Sequence, residues 1–150
     1  MNKIADMELP EGYTPSEEET YMSPQQRAFF CRLLLEWRRQ LVDDADKTLA
    51  AMTEEKAIFA DPTDRAALET DRNFELRTRD RERKLIAKID RTIAIIEADE
   101  YGYCEECGVE IGLKRLEARP VTDLCIGCKT RAERREKVNL AEDEETIEES

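Results

Sequence analysis

The chain has 150 residues, of which 40% are charged and only 6% are aromatic, and its formal net charge is −12. So little apolar material is not expected to build a thick globular core, and a bound metal is one common compensation in small modules. No apolar run approaches the roughly 18 residues of a membrane-spanning helix, so we expect a cytoplasmic protein without a membrane partner. Five glycines and five prolines predict few turns and therefore long helices.

The negative charge is concentrated at the two ends of the chain. Residues 1–24 carry six acidic residues and one lysine, and residues 141–150 carry six acidic residues and no basic one. We therefore expect an acidic, partly disordered segment over 1–22 and an acidic, disordered tail over 141–150. Acidic ends oppose casual binding to a phosphate backbone, and a role as solubilising tails is the simpler interpretation of them.

A first long helix is predicted to begin at Ser23. Ser23 can cap the helix, Pro24 suits its first position, and Gln26 completes a capping-box pattern. No glycine or proline follows until Pro62. Apolar residues recur in steps of three and four, which predicts one apolar stripe, formed by Phe30, Leu34, Trp37, Leu41, Ala45, Leu49, Met52 and Phe59.

A second start signal, Asp61-Pro-Thr-Asp64, predicts another helix that runs to about residue 99. Its apolar stripe contains Leu68, Phe74, Leu85, Ile89, Ile93 and Ile96. Two long helices with so short a connector are expected to lie antiparallel. We therefore predict a mainly α fold, in which a long antiparallel coiled-coil helical hairpin over 23–100, with its tip at 60–66, stands on a small base. Each arm would have about 37 residues and a length of about 55 Å.

Four cysteines form two pairs, Cys104-Glu-Glu-Cys107 and Cys125-Ile-Gly-Cys128, separated by 17 residues. This spacing is typical of a structural zinc site, because each short pair presents two sulfurs from one turn. The chain contains no histidine, so such a site would be all-thiolate. We therefore predict a four-cysteine zinc-finger module with one structural zinc ion, followed by a C-terminal helix, over 101–140.

Two disulfides are the main alternative to zinc. They would need an oxidising compartment, whereas residues 1–24 lack the features of an export signal, and Cys31 would remain as an odd thiol. A redox dithiol is a third possibility, but no βαβ pattern surrounds either pair. Four cysteines would leave no open coordination position on the zinc, and no histidine can act as a base, so we expect no enzymatic activity.

Asp61 and Asp64, at the predicted tip, have more than one interpretation. As helix caps each would contribute about 0.5–2 kcal/mol, which accounts for both without a further function. Acid–base chemistry would need a pocket, which an exposed tip does not offer. A long rod with a compact tip is also suited to reaching into a partner, where the two carboxylates could meet a metal or a basic surface.

Basic residues accumulate along one stretch of the second helix. Between Arg77 and Arg91 there are seven basic and three acidic residues. Such a run is usually a solvated helix face. It could also form, together with Arg115, Arg119 and Lys129 of the zinc module, a groove for a polyphosphate, because arginine forks suit phosphate oxygens.

Several segments together resemble the bacterial DksA/TraR family. They are Phe59-Ala-Asp-Pro-Thr-Asp-Arg-Ala66, Glu75-Leu-Arg-Thr-Arg-Asp-Arg-Glu-Arg-Lys-Leu85, Tyr101-Gly-Tyr-Cys-Glu-Glu-Cys-Gly-Val-Glu-Ile-Gly112, Arg115-Leu-Glu-Ala-Arg-Pro120 and Asp123-Leu-Cys-Ile-Gly-Cys-Lys129. The resemblance covers roughly residues 23–140, and the combination is far more specific than either cysteine pair.

The resemblance implies a transcription factor that binds RNA polymerase, as core or holoenzyme, rather than promoter DNA. Members of this family insert the coiled coil into the secondary channel of the polymerase, which brings the tip close to the catalytic centre and destabilises promoter complexes. Output falls at ribosomal RNA promoters and rises at some biosynthetic promoters, as in the stringent response. The alarmone ppGpp binds at the interface and strengthens the effect. We expect the protein to act as a monomer.

The resemblance also assigns roles to individual residues by their positions. Three match the coiled-coil tip that acts on the polymerase: Asp61, Asp64 and Ala66. Arg81 matches a polymerase contact. Four match positions that line the ppGpp site: Leu85, Lys88, Arg119 and Lys129.

The chain departs from the family pattern at two places. Ala60 stands where a proline is expected before Asp61, and the tail over 141–150 extends past the familiar end. The competing interpretation of the whole chain is a zinc-ribbon module that binds nucleic acid directly. The acidic ends and the balanced middle of the chain argue against it.

Overall fold

The computed structural model describes residues 3–55 and 62–148, with side chains described over 3–51 and 65–143. It contains four helices, α1 (Pro24–Glu55), α2 (Pro62–Glu97), α3 (Leu113–Ala118) and α4 (Ile126–Glu148). An isolated antiparallel bridge joins Tyr103 to Glu110, and the described residues contain no strand. The predicted mainly α class is therefore confirmed. Every helix in this described part is too short or too polar to span a lipid bilayer.

The helices α1 and α2 pack against each other in opposite directions. Arg27, in the first turn of α1, donates to the carbonyl oxygen of Ile96 at 2.7 Å, near the end of α2. Arg38, farther along α1, donates at 2.7 Å to the carboxylate of Asp90, a residue that lies earlier in α2. This pairing is antiparallel, as predicted, and the 36 residues of α2 give an arm of about 54 Å. The predicted continuation of the first helix to Ala60 lies outside the described residues.

The buried side chains are concentrated at one end of the hairpin, which we call the base. They come from the start of α1, the end of α2 and the zinc module, and include Phe30, Cys31, Leu34, Ile89, Ile96, Tyr101, Ile111 and Leu116. Among the described side chains, none of α1 beyond Leu34 and none of α2 before Ile89 is buried. The stability of the arm away from the base therefore depends on half-buried contacts.

Two side chains of the predicted apolar stripes lie on the surface. Phe74 is 61% exposed and Leu49 is 45% exposed, so the prediction that the apolar stripes are hidden between the helices was wrong for these two side chains. In α2 the charged residues Asp71 and Glu82 interrupt the heptad pattern. An interrupted heptad does not keep one stripe facing the partner helix, which leaves Phe74 on another side of α2.

The start of α1 is capped by Ser23, as predicted, because the backbone N–H of Gln26 donates to the Ser23 hydroxyl at 3.3 Å. The other half of the capping box differs from the expected pattern. The Gln26 amide oxygen accepts from the Met22 N–H at 2.8 Å, and its NH₂ group donates to the Ser16 carbonyl oxygen at 3.1 Å. This fully buried glutamine thus ties the N-terminal segment to α1.

The segment over residues 3–22 has no helix or strand, but it packs against the base. The Tyr21 hydroxyl contacts the carbonyl oxygens of Gly102 and Ile111 at 2.6 and 2.5 Å. Burial, together with the nearby Glu110 carboxylate, raises the pKa of Tyr21 well above its usual range, so the hydroxyl keeps its proton. Gly102 has φ +98°, and a Cβ there would lie 2.7 Å from the Tyr21 hydroxyl oxygen, so only glycine fits this contact.

The C-terminal end differs from the disordered tail that we expected over 141–150. In the structure α4 continues without a break to Glu148. No glycine or proline follows Gly127, and the sequence is rich in strong helix formers such as glutamate, alanine, arginine and lysine. Local helix propensity therefore extends α4 through most of the acidic tail, whereas residues 149–150 lie outside the described part.

Arg27 is expected to contribute more to stability than other arginines of the hairpin. Its guanidinium donates to the carbonyl oxygen of Ile96, lies 3.3 Å from the Asp99 carboxylate, and is only 16% exposed. We predict that Arg27→Gln lowers the free energy of unfolding by roughly 1–3 kcal/mol, since a last-turn carbonyl would lose a charged donor. The measurement is urea unfolding of the zinc-loaded protein, followed by circular dichroism.

Arg38→Gln is the matched control for this prediction. Arg38 also pairs across the hairpin, with Asp90, but both side chains are about half exposed. Its loss should cost less than about 1 kcal/mol, because solvent screens an exposed ion pair. Equal losses for the two variants would contradict the special role of Arg27.

Candidate functional site

Two loops of the zinc module bring the four predicted metal-binding cysteines together. In the first loop the N–H of Gly108 donates to the Cys104 carbonyl oxygen at 2.9 Å, which closes a tight turn. Gly108, directly after the first pair, has φ +76°, a conformation that glycine adopts without strain. In the second loop Cys125 precedes the first residue of α4 and Cys128 lies in its first turn, which confirms that this pair begins a helix.

The sulfur positions fit a tetrahedral zinc ion. The Sγ atoms of Cys104, Cys107, Cys125 and Cys128 all lie within 4.8 Å of one another, and those of Cys107 and Cys125 are 3.7 Å apart. Zinc–sulfur bonds of about 2.3 Å in a tetrahedron require sulfurs about 3.8 Å apart. A disulfide requires about 2.05 Å, so Cys107 and Cys125 are not bonded to each other.

Cys104, Cys125 and Cys128 differ in how easily their thiols ionise. The backbone N–H groups of Cys125 and Cys107 lower the pKa of Cys104 to about 6, and the Cys128 N–H lowers the pKa of Cys125. At Cys128 the Arg131 guanidinium lowers the pKa, but desolvation and the other three sulfurs outweigh it and raise the pKa to about 12. Four thiolates therefore repel one another in this small volume, and a bound Zn²⁺ would supply the charge that keeps all four ionised.

Two arginines support the metal-binding loops, and they do so differently. Arg115 donates to the Leu124 carbonyl oxygen at 3.1 Å and to the Thr122 hydroxyl at 3.4 Å, so it holds the loop before α4. Arg131 donates to the Cys128 sulfur at 3.1 Å. Arg131 was not among the residues predicted from the sequence to belong to the site. Its position three residues after Cys128, on a predicted helix, is the signal that could have identified it.

The structure describes only part of the predicted tip. Asp61 lies outside the described residues, and so does the side chain of Asp64, whose backbone belongs to the first turn of α2. Ala66 is exposed on α2. The roles predicted for these three residues remain predictions.

The predicted polymerase contact, Arg81, lies on an exposed face of α2. It lines a shallow depression together with Phe74, Arg77 and Asp80. Leu76 is 51% exposed on the same stretch of α2 and lines a second depression with Arg77 and Arg83. This part of α2 thus presents arginines beside large exposed apolar side chains.

The structure brings only part of the predicted ppGpp-binding set to one cleft. Lys88 lines a cleft of about 520 Å³ between α2 and the zinc module, together with Arg91. Leu85 packs against the base, Arg119 is exposed after α3, and Lys129 is half-buried in α4. None of these three residues lines the cleft. Three carboxylates line it as well, those of Glu100, Glu105 and Asp123.

We predict that Cys128→Ser reduces the zinc content from one ion per chain to a substoichiometric amount and lowers the midpoint of thermal unfolding. The reason is that a serine hydroxyl does not replace a thiolate ligand, and the free energy of binding structural zinc is also free energy of folding. Metal analysis of the purified protein and a thermal melt provide the two measurements.

Cys31→Ala is the control, because the Cys31 thiol is buried in the core and does not belong to the group of four sulfurs. It should lose some stability and still bind one zinc ion. Full zinc occupancy in Cys128→Ser would show that Cys128 is not a ligand.

Two family models match successive parts of the chain. The DnaK suppressor protein DksA, N-terminal domain, matches residues 26–96, which contain most of the hairpin. The prokaryotic dksA/traR C4-type zinc finger matches residues 99–134, which contain the four cysteines. Together they cover both functional regions described above.

Curated proteins and a solved structure agree with these models. The RNA polymerase-binding transcription factor DksA of Escherichia coli (strain K12) is 56% identical over 127 residues, which cover 85% of this chain and 84% of that protein. The protein of the same name from Haemophilus influenzae is 47% identical over 134 residues, covering 89% of this chain and 92% of its own. The structure of transcription factor DksA2 from Pseudomonas aeruginosa has a TM-score of 0.72 and 38% identity, and covers 78% of this chain and 90% of that chain. The chain therefore belongs to the DksA family of proteins with a C4-type zinc finger.

Proposed function

We propose that this chain is a transcription factor that binds RNA polymerase directly and modulates promoter complexes together with ppGpp. The observation that carries the proposal is the 56% identity, over 85% of the chain, to a protein named as an RNA polymerase-binding transcription factor. The proposed role is regulatory and not enzymatic, and the proposed location is the cytoplasm. Ribosomal RNA promoters would be repressed and some biosynthetic promoters activated.

The shape of the hairpin supports insertion into the secondary channel of the polymerase. Its second arm extends about 54 Å by helical rise and is accompanied by a single antiparallel helix, so the rod is long and narrow. The buried core lies at the base, so the arm can enter a channel without exposing the core. Asp61, Asp64 and Ala66 would then act at the tip, near the catalytic centre of the polymerase.

The exposed face of α2 supports a contact with protein. Phe74 and Leu76 are each more than half exposed beside Arg77 and Arg81. The centres of protein interfaces are enriched in aromatic residues and arginine, and large apolar side chains left on a surface often mark such contacts. We assign Arg81 to the polymerase contact on this basis and on the family resemblance.

The cleft that contains Lys88 supports an interfacial site for ppGpp, which also includes Leu85, Arg119 and Lys129 in our proposal. Two basic side chains are available in the cleft, but three carboxylates share it. A polyphosphate is therefore expected to bind at the basic rim, where a polymerase surface can complete the site, and not deep in the cleft. The structural zinc ion would hold the module beside α2 and take no direct part.

We predict that Asp64→Asn leaves binding to RNA polymerase nearly intact but abolishes the effect on promoter complexes. Binding would depend on the arm and the base, whereas the tip carboxylate would act near the catalytic centre. The measurements are co-purification with core RNA polymerase and the lifetime of ribosomal RNA promoter complexes in vitro.

Asp71→Asn makes the same chemical change at an exposed position farther along α2 and should retain full activity. If Asp64→Asn kept full activity, the assignment of the tip would be wrong. If the unmodified chain failed to co-purify with the polymerase and instead bound duplex DNA in a strongly salt-dependent manner, the chain would be a nucleic-acid-binding module.

Lys88→Ala is predicted to remove most of the response to ppGpp while leaving the ppGpp-independent activity in place. The ammonium group would be a phosphate contact, and its loss does not change the hairpin core, because Lys88 lines the cleft. Transcription assays with and without ppGpp measure the response as the ratio of the two activities. Lys84→Ala, one turn away at a 79% exposed side chain, is the control and should respond normally. An unchanged response of Lys88→Ala would reject the assignment.

A further inference from the structure

The zinc module contains one charged side chain aimed at the metal-binding sulfurs. Arg131, in the second turn of α4, donates an N–H of its guanidinium to the Cys128 sulfur at 3.1 Å. Among the described residues, it is the one cationic side chain with a hydrogen bond to any of the four sulfurs. The same guanidinium lies within electrostatic reach of the sulfurs of Cys125 and Cys107.

The charge of the loaded site explains why such a donor matters. A zinc ion with four thiolate ligands carries a formal charge of −2. The neighbouring residues Glu105 and Glu106 are acidic as well, so they do not compensate this charge. The Cys128 sulfur is buried, so water compensates its charge less well than that of the exposed Cys107. A charged donor at Cys128 therefore acts where the site has the least solvent.

The backbone makes a different contribution, at another sulfur. Cys128 lies in the first turn of α4, and its own N–H donates to the Cys125 sulfur at 3.5 Å. That contact carries no full charge. Arg131, by comparison, supplies both a full positive charge and a donor at hydrogen-bond distance.

We propose that Arg131 is a positioning residue of the metal centre, which stabilises the zinc-bound thiolate of Cys128 and so increases the retention of zinc. Hydrogen bonds to ligand atoms orient metal ligands and tune their electronic properties, and removing one such partner typically costs 10–100-fold in metal affinity. Because Arg131 is itself exposed, the expected effect lies at the lower end of this range.

The test compares three full-length variants. Arg131→Leu removes the charge and the donor but keeps a strong helix former, so α4 should be retained. Arg131→Lys keeps the charge and loses the planar guanidinium. Arg134→Leu makes the same change at an exposed arginine one turn farther along α4 and serves as the matched control.

Zinc affinity is measured at neutral pH by competition with a chromophoric chelator. We expect Arg131→Leu to bind zinc about tenfold more weakly than the unmodified chain, Arg131→Lys to be intermediate, and Arg134→Leu to be unchanged. Unfolding of the zinc-loaded variants, monitored by circular dichroism, checks that the helices are intact.

Cobalt substitution gives a readout that a purely structural role would not affect. The sulfur-to-cobalt charge-transfer band reports electron density on the ligand sulfurs, and a hydrogen bond to a sulfur moves this band to higher energy. Arg131→Leu should therefore shift the band to lower energy, and Arg134→Leu should not. If Arg131→Leu matched Arg134→Leu in both zinc affinity and band position, the proposal would be overturned. Weaker zinc binding with an unshifted band would also reject it, in favour of a general loss of structure.

Discussion

The burial of apolar side chains at a single place, the base, is the constraint on which the rest of the molecule depends. Phe30 of α1 and Tyr101 of the zinc module meet there, with ring centroids 5.5 Å apart, beside Ile89 and Ile96 of α2. The Tyr101 hydroxyl donates to the Pro120 carbonyl oxygen at 2.7 Å, which fastens the zinc module to the same cluster. A chain with 40% charged residues has little other apolar material with which to hold its parts together.

Three separate parts of the chain converge on this base, and each is fixed by a polar contact as well as by packing. The N-terminal segment is held through Gln26 and Tyr21, the end of α2 through Arg27, and the zinc module through Tyr101. Buried polar groups that are fully paired specify one arrangement among many that apolar packing alone would allow. The four cysteine sulfurs hold the two loops of the zinc module together, so both the apolar core and the metal centre fix the structure of the base.

Much of this organisation could be predicted from the sequence because it depends on local signals. The Ser23 cap, the proline at the start of α1 and of α2, and the cysteine spacing are short-range patterns, and the structure agrees with them. The exposure of Phe74 could not be predicted, because it depends on how α2 rotates against α1 where the heptad is interrupted. The hydrogen-bond partners of Gln26 could not be predicted either, since they depend on the path of a segment without regular structure.

In the candidate site, too, the residues set by short-range sequence patterns could be predicted, and those that depend on long-range contacts could not. The four cysteines were predicted as a group and lie together, whereas Lys88 lines the cleft between α2 and the zinc module and Arg119 and Lys129 do not. The positions of these three were inferred from a family resemblance, and a site that a partner completes need not be assembled in the free protein. Arg131 was not predicted because basic residues are common on a charged helix, so its spacing from Cys128 is a weak signal until the distance to the sulfur is known.

The contact between Tyr21 and Gly102 affects the orientation of the helical arm, because it lies at the base from which the arm extends. An arm of about 54 Å converts a tilt of about 5° at its base into a displacement of about 5 Å at its free end, by the geometry of helical rise. A Cβ at Gly102 would lie 2.7 Å from the Tyr21 hydroxyl oxygen, so even one added methyl group would force the Tyr21 side chain to move away from its contacts with the base. The glycine at position 102 of the base is thus a condition for a defined position of the free end of the arm.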